Sequence, residues 1–195
     1  MKRALLFGPI LFVVVLITLT ALKYDFLISL GWHPLKDPTF DWPSGLALGK
    51  YGFIMTATFI ISGLLITALA LHLKADLPPA RTSQIGSTLL ALSGLALAGL
   101  ASTTDPTIRM LPATTWHGRL HDLSYVLLGV TLFPSMILLG FAFQKAESRK
   151  LFSLYTWVTV AFAIPAFIFK GAAFYIFLFA ILLWTESLAW KLNKA

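Results

Sequence analysis

The segment "TTWHGRLHDLSY", residues 114–125, holds the densest set of reactive side chains in the 195-residue chain. On a helix, His117 and His121 stand four apart and share a face, which Ser124 and Tyr125 continue one turn further. Histidines at this spacing match many zinc sites, and Asp105 in the preceding loop would supply a third ligand. The glutamate of the H-E-x-x-H pattern is missing, so a metal on His117, His121 and Asp105 is the alternative rather than the leading expectation. The leading expectation for the pair is interfacial histidines that make ordinary hydrogen bonds to loop carbonyls or water, and beside it stands a metal-free site. In it, His121 acts as general base or hydrogen-bond partner, Asp105 orients it, and Arg109 or Arg119 attracts an anionic group. Asp122 lies about 100° round the helix from His121. Arg119 is three residues before it, so a local ion pair is expected between them.

No cofactor is required by these residues. Bis-histidine haem needs pairs at matching depth on facing helices, and His72, alone at the far end of its helix, has no such partner. Cysteine is absent, which excludes disulfides, thiolate metal sites and cysteine nucleophiles.

The elements that must position these groups are apolar. The chain is 58% hydrophobic and 12% charged, with a mean hydropathy of +0.84, against roughly 25% charged in soluble domains. An integral membrane protein follows, forming a single domain over 1–195. The net charge of +7 lies on no basic stretch interleaved with aromatics, so nucleic acid is not expected as a partner. Six apolar runs are long enough to span: about 4–22, 46–73, 82–102, 116–143, 151–169 and 172–192. The fold class expected is an all-α, six-transmembrane-helix bundle. The first run is longer than the 7–15 residues of a cleaved signal and is expected to be retained.

Six spans bring both termini to one side, with Lys2, Arg3, Lys74, Arg81, Lys145, Arg149, Lys150, Lys191 and Lys194. The other side receives Lys23, Lys36, Lys50, Arg109, Arg119 and Lys170, together with Asp25, Asp37, Asp41, Asp105 and Asp122. Nine basic residues against six assign the first side to the cytoplasm. This predicts an N-in, C-in, multi-pass protein of the inner (plasma) membrane. Gly86, Gly94, Ala98 and Ser102 form a small-residue stripe for close helix packing. Pro134 and Pro165 are expected to kink their helices. The first outer loop, "KYDFLISLGWHPLKDPTFDWPSGLALGK", mixes acids with large apolar residues, as suits a solvated connector with its aromatics in the headgroups or, as the alternative, a segment lying on the outer leaflet over the bundle mouth. Glu186 is expected to reach the cytoplasmic interface.

Three stretches, "YDFLISLGWHP", "STTDP" and "TTWHGRLHDLSYVLLG", resemble the domain-of-unknown-function 998 family, multi-span membrane proteins of bacteria and archaea. The resemblance runs over nearly the whole chain. It carries over as Asp25 with Ser29, Asp105 with Pro106, and Gly118 with His121. Thr103-Thr104 departs from the phenylalanine-proline common there, and His117 falls outside the pattern, which weakens the paired-histidine metal site. The resemblance implies a multi-span fold and singles out Asp105 and His121, without an activity.

Together these features predict an outward-facing polar pocket binding a lipid headgroup or small amphiphile. Asp105 and His121 would anchor the ligand, with Arg109, His117, Arg119, Asp122, Ser124, Tyr125 and Asp25 around it. Hydrolysis or group transfer at the outer leaflet would be its chemistry, if it is an enzyme. The alternative is a non-catalytic accessory or scaffold docked on another membrane protein. A transporter ranks third, because it needs ionisable groups at mid-bilayer and Lys170 and Glu186 fall nearer the helix ends.

Overall fold

A computed structural model describes residues 5–31, 33, 42–104, 113, 115–145, 149–169 and 171–194. In chain order the helices are α1 (Phe7–Leu22), α2 (Tyr24–Ser29), α3 (Trp42–Gly45), α4 (Gly52–Asp76), α5 (Arg81–Gly99), α6 (Trp116–Gln144), α7 (Lys150–Ala161), α8 (Ala163–Phe169) and α9 (Gly171–Lys194). Among the described residues three stretches are long and apolar enough to cross a bilayer by themselves: Gly52–Asp76, Trp116–Gln144 and Ala173–Asn193. Phe7–Leu22 and Lys150–Ala166 are shorter apolar helices. The protein is all-α among the described residues, and it is a membrane protein.

Its outer face is apolar, unlike that of a soluble bundle. Phe7, Ile10, Val14 and Ile17 follow one another down the exposed face of α1, each more than half exposed. Serines and threonines are buried among the apolar core residues, and several of them bond between helices. Ser62 Oγ donates to the Gly8 carbonyl at 3.3 Å, and Thr67 Oγ1 is 3.2 Å from the Ala91 carbonyl. Ser135 Oγ donates to the Gly86 carbonyl at 2.8 Å, Ser153 Oγ to the Gly140 carbonyl at 2.7 Å, and Trp184 Nε1 to Thr156 Oγ1 at 2.9 Å. In hydrocarbon, leucine gains little by leaving lipid, so association rests on close packing and such hydrogen bonds.

α5 packs between α4 and α6, α1 against α4 and α9, and α8 against α9. The stripe on α5 serves two neighbours. A Cβ on Gly94 would lie 2.6 Å from the Gly63 carbonyl oxygen of α4, and one on Gly86 would lie 3.0 Å from the Leu139 side chain of α6. Asp76 and Arg149 pair at 2.5 Å, tying the end of α4 to the start of α7. Among the described residues a small apolar cluster of Ala163, Ala166 and Phe177 joins α8 to α9, and two larger ones fill the interior. One lies toward this ion pair, around Leu73, Phe143, Phe152 and Trp184. The other lies toward His121 and includes Leu16, Leu27, Leu46 and Phe59.

Several boundaries differ from those read in the sequence. The second long helix starts at Gly52, not at 46. Residues 46–51 instead fold back through left-handed backbone at Gly49 (φ 63°) and Tyr51 (φ 65°). A Cβ on Gly52 would stand 2.1 Å from the Ala47 carbonyl oxygen, so this turn requires glycine there. The apolar letters of 46–48 signal burial, not helix. The fifth apolar run is divided at Phe162, between α7 and α8. Pro165 accounts for the break: it has no N–H for the Ala161 carbonyl, and its ring crowds that carbonyl. Pro134, by contrast, lies within a continuous α6. Glu186 lies well inside α9, which runs on to Lys194, and its Oε2 is buried with no hydrogen-bond partner among the described residues.

Candidate functional site

The first loop enters the bundle. α2 follows α1 almost directly, and beyond it Pro43, Ser44, Gly45, Leu46 and Ala47 are all buried. Lys23 holds this entry in place. It is itself buried, just past the end of α1, and its ammonium donates to the Leu46 carbonyl at 2.8 Å and to that of Leu48. The Phe26 ring centroid lies 5.0 Å from the same nitrogen. Burial pushes the Lys23 ammonium below the ordinary lysine value of 10.5. Between that lowered value and 10.5 the unfolded chain holds more protons than the folded one, so this lysine's contribution to stability rises with pH through the window. The thermal midpoint of wild type relative to Lys23→Met is therefore expected to rise as the pH climbs toward 10.5. A difference independent of pH would refute this.

Thr115 caps α6 by accepting from the Gly118 N–H at 3.1 Å, which fixes where the helix begins and so which way its first turns face. His117 sits at the rim. Its Nδ1 donates to the Thr103 carbonyl at 2.8 Å, and its own carbonyl accepts from Ser102 Oγ at 3.0 Å. One turn deeper, His121 is 4% exposed. Its Nδ1 lies 3.1 Å from the Leu100 carbonyl and 2.7 Å from the Ser102 carbonyl, both in the turn that ends α5. Its Nε2 lies 2.9 Å from Ser44 Oγ. Carbonyls only accept, so Nδ1 carries the proton of the neutral ring. Nε2 is then the lone-pair nitrogen, and the Ser44 hydroxyl donates to it.

Ser44 also lines a cavity of about 710 Å³ bounded by α1, α4, α5, α6 and α9. Its walls are overwhelmingly apolar, among them Phe12, Phe59, Leu97, Leu128, Phe133 and Phe177. Leu90 to Leu100 on one wall marks a depth of about 15 Å. Val126 and Val130 line it while being 56% and 57% exposed, so it opens sideways past α6. Three of its hydroxyls are committed to helix carbonyls: Ser62 to Gly8, Ser93 to Leu90 and Thr185 to Ile181. The Ser44 hydroxyl faces an imidazole instead.

The remaining candidates are spread more widely. Ser124 is buried against α5, where a Cβ on Gly99 would lie 2.4 Å from its Oγ. Tyr125 lines the cavity. Arg119 is exposed and its Nε donates to the Ala113 carbonyl at 3.2 Å; the expected ion pair with Asp122, also exposed, does not form. Asp25 is exposed on α2. Asp105 and Arg109 lie outside the described residues, as do Lys36, Asp37, Asp41 and Lys170. Among the described residues no three histidine, aspartate or glutamate side chains gather as a metal site would need. Sequence reasoning missed Ser44. Its only signal was a hydroxyl in the otherwise apolar and turn-forming run "WPSGLALG", among many serines that bond to nothing but backbone.

The family described as "Protein of unknown function (DUF998)" matches residues 6–191. No curated protein and no solved structure matches the chain.

Proposed function

We propose that the chain, which belongs to the DUF998 family, holds the acyl chain of a membrane lipid or small amphiphile in the α6-side cavity, with its polar end beside Ser44 and His121. The single observation that carries this reading is the cavity itself: about 710 Å³, overwhelmingly apolar, open sideways, and lined by Ser44, which is hydrogen-bonded to His121. That volume lies within the roughly 300–1,000 Å³ usual for small-molecule sites, which pair apolar walls with a few placed polar groups. Asp105, three residues beyond the Ser102 carbonyl that His121 bonds, is the carboxylate proposed to meet the headgroup with Arg109 or Arg119.

The reading places the chain across the membrane six times, the α7–α8 pair counting as one interrupted span, with both termini cytoplasmic in the inner membrane. The distribution of basic residues supports this orientation. The cavity's serine–histidine end then lies in the outer leaflet.

A Cβ on Gly129 meets nothing within 4 Å, and this glycine lines the cavity. Gly129→Phe is therefore expected to fill the space without disturbing its neighbours. It would displace about three methylenes of bound chain at about 0.8 kcal/mol each. Photo-crosslinking of a diazirine fatty acid to the cavity walls, in nanodiscs, should fall by more than about tenfold. Equal crosslinking in wild type and Gly129→Phe, or crosslinks confined to the lipid-facing residues of α1, would overturn the reading.

A further inference from the structure

We infer that Ser44 is a nucleophile and His121 its general base, and that the bound lipid is a long-chain carboxylic ester cleaved at this pair. The inference rests on the lipid-binding reading above and adds to it the reacting atom, the reaction and the substrate class.

Two backbone carbonyls on Nδ1 leave the Nε2 lone pair aimed at the Ser44 hydroxyl, 2.9 Å away. A nucleophilic hydroxyl needs this relation: an acceptor within hydrogen-bond reach, itself oriented by a third group. Here the third group is backbone, supplied by the turn after α5, where a triad would use a carboxylate. The second observation is placement. Ser44 is 5% exposed overall, yet it lines the cavity wall, so the residue is screened from bulk water and approached from the apolar side. A chain seated along Leu97 and Leu128 would present its carboxyl end at Ser44. A third observation is selectivity: the bonds of Ser62, Ser93 and Thr185 to helix carbonyls hold those three hydroxyls out of reaction.

The chemistry balances with water alone. Ser44 Oγ passes its proton to His121 Nε2 and bonds to the ester carbonyl carbon. The carbon–alkoxy bond then breaks, and the leaving oxygen takes the proton from Nε2 as an alcohol. A water gives a proton to Nε2 and adds to the acyl carbon, Ser44 Oγ departs and recovers that proton, and the free carboxylic acid is released.

The test uses the full chain in nanodiscs and an alkyl fluorophosphonate, which loses fluoride on bonding to an activated serine. Mass spectrometry should find the phosphonyl group on Ser44. Ser44→Ala should abolish it and lower hydrolysis of a long-chain 4-nitrophenyl ester by about a hundredfold or more, with an unfolding midpoint close to wild type. His121→Gln should slow labelling. Crosslinking of the diazirine fatty acid to wild type is measured in parallel. Crosslinking in the cavity without labelling of Ser44 overturns the nucleophile and leaves the lipid site standing. Ester turnover that survives Ser44→Ala also overturns it. Absence of cavity crosslinking overturns the underlying reading.

Discussion

Gly94→Leu is expected to prevent the bundle from assembling, with a loss of about 3 kcal/mol or more and little monodisperse protein after extraction. A Cβ at position 94 would already lie 2.5 Å from Thr67 Oγ1, 2.6 Å from the Gly63 carbonyl oxygen and 2.7 Å from the Thr67 N. Two of these atoms are backbone and cannot rotate away. On the facing helix, a Cβ at Gly63 would stand 2.4 Å from the Gly94 carbonyl oxygen and 2.6 Å from the Ala98 N. α4 and α5 therefore meet backbone to backbone, and any side chain at either glycine forces them apart. Separation would also lengthen the 3.2 Å contact of Thr67 Oγ1 with the Ala91 carbonyl and widen one wall of the cavity. Gly94→Ala should fall between wild type and Gly94→Leu. Gly129→Ala is the control, since its Cβ meets open space, and it should gain about 0.5–1 kcal/mol of helix stability. Thermal unfolding in nanodiscs reads all three. A Gly94→Leu midpoint within a degree or two of wild type would refute the close approach.

The second large effect is at His121. His121→Ala removes the donor shared by the Leu100 and Ser102 carbonyls and the acceptor of the Ser44 hydroxyl, in a place where water does not replace them readily. Unsatisfied buried polar groups cost about 1–3 kcal/mol each, so a loss of about 2–4 kcal/mol is expected after partial relaxation. Ser44→Ala leaves a single acceptor, Nε2, unpaired and should cost only about 1 kcal/mol. The ordering separates the two roles of the pair. The imidazole joins three segments of chain, whereas the hydroxyl adds little to stability. Hydrogen exchange should show the loss in His121→Ala concentrated at residues 42–48 and 100–104, the segments it ties to α6. Equal destabilisation by the two substitutions would mean that the serine is held for structural reasons alone.

How much of this was legible in the letters differs from residue to residue. The long helices were, because 25 residues from Gly52 and 29 from Trp116 are long and apolar enough to cross a bilayer. The stripe of Gly86 and Gly94 announced close packing, since only small residues let helices approach in lipid. His121 stood out as an ionisable group in an apolar helix. The fold-back at 46–51 was not legible. Leu46, Ala47 and Leu48 read as the beginning of the next span, and only the left-handed backbone at Gly49 and Tyr51 shows that they are a turn tucked into the core. Apolar character reports burial and is silent about backbone direction.

By itself the sequence determined the solvent this protein folds in, the number of its apolar runs and the location of its reactive histidines, because hydropathy and helical period are local properties of the chain. Tertiary structure alone decided what His121 touches. Its partners are 77 residues away at Ser44, 21 away at Leu100 and 19 away at Ser102. No spacing rule links them, because their meeting depends on Lys23 drawing residues 46–48 into the bundle and on small residues letting α4, α5 and α6 close to contact distance. The cavity beside them likewise exists only as the space that five packed helices leave between them.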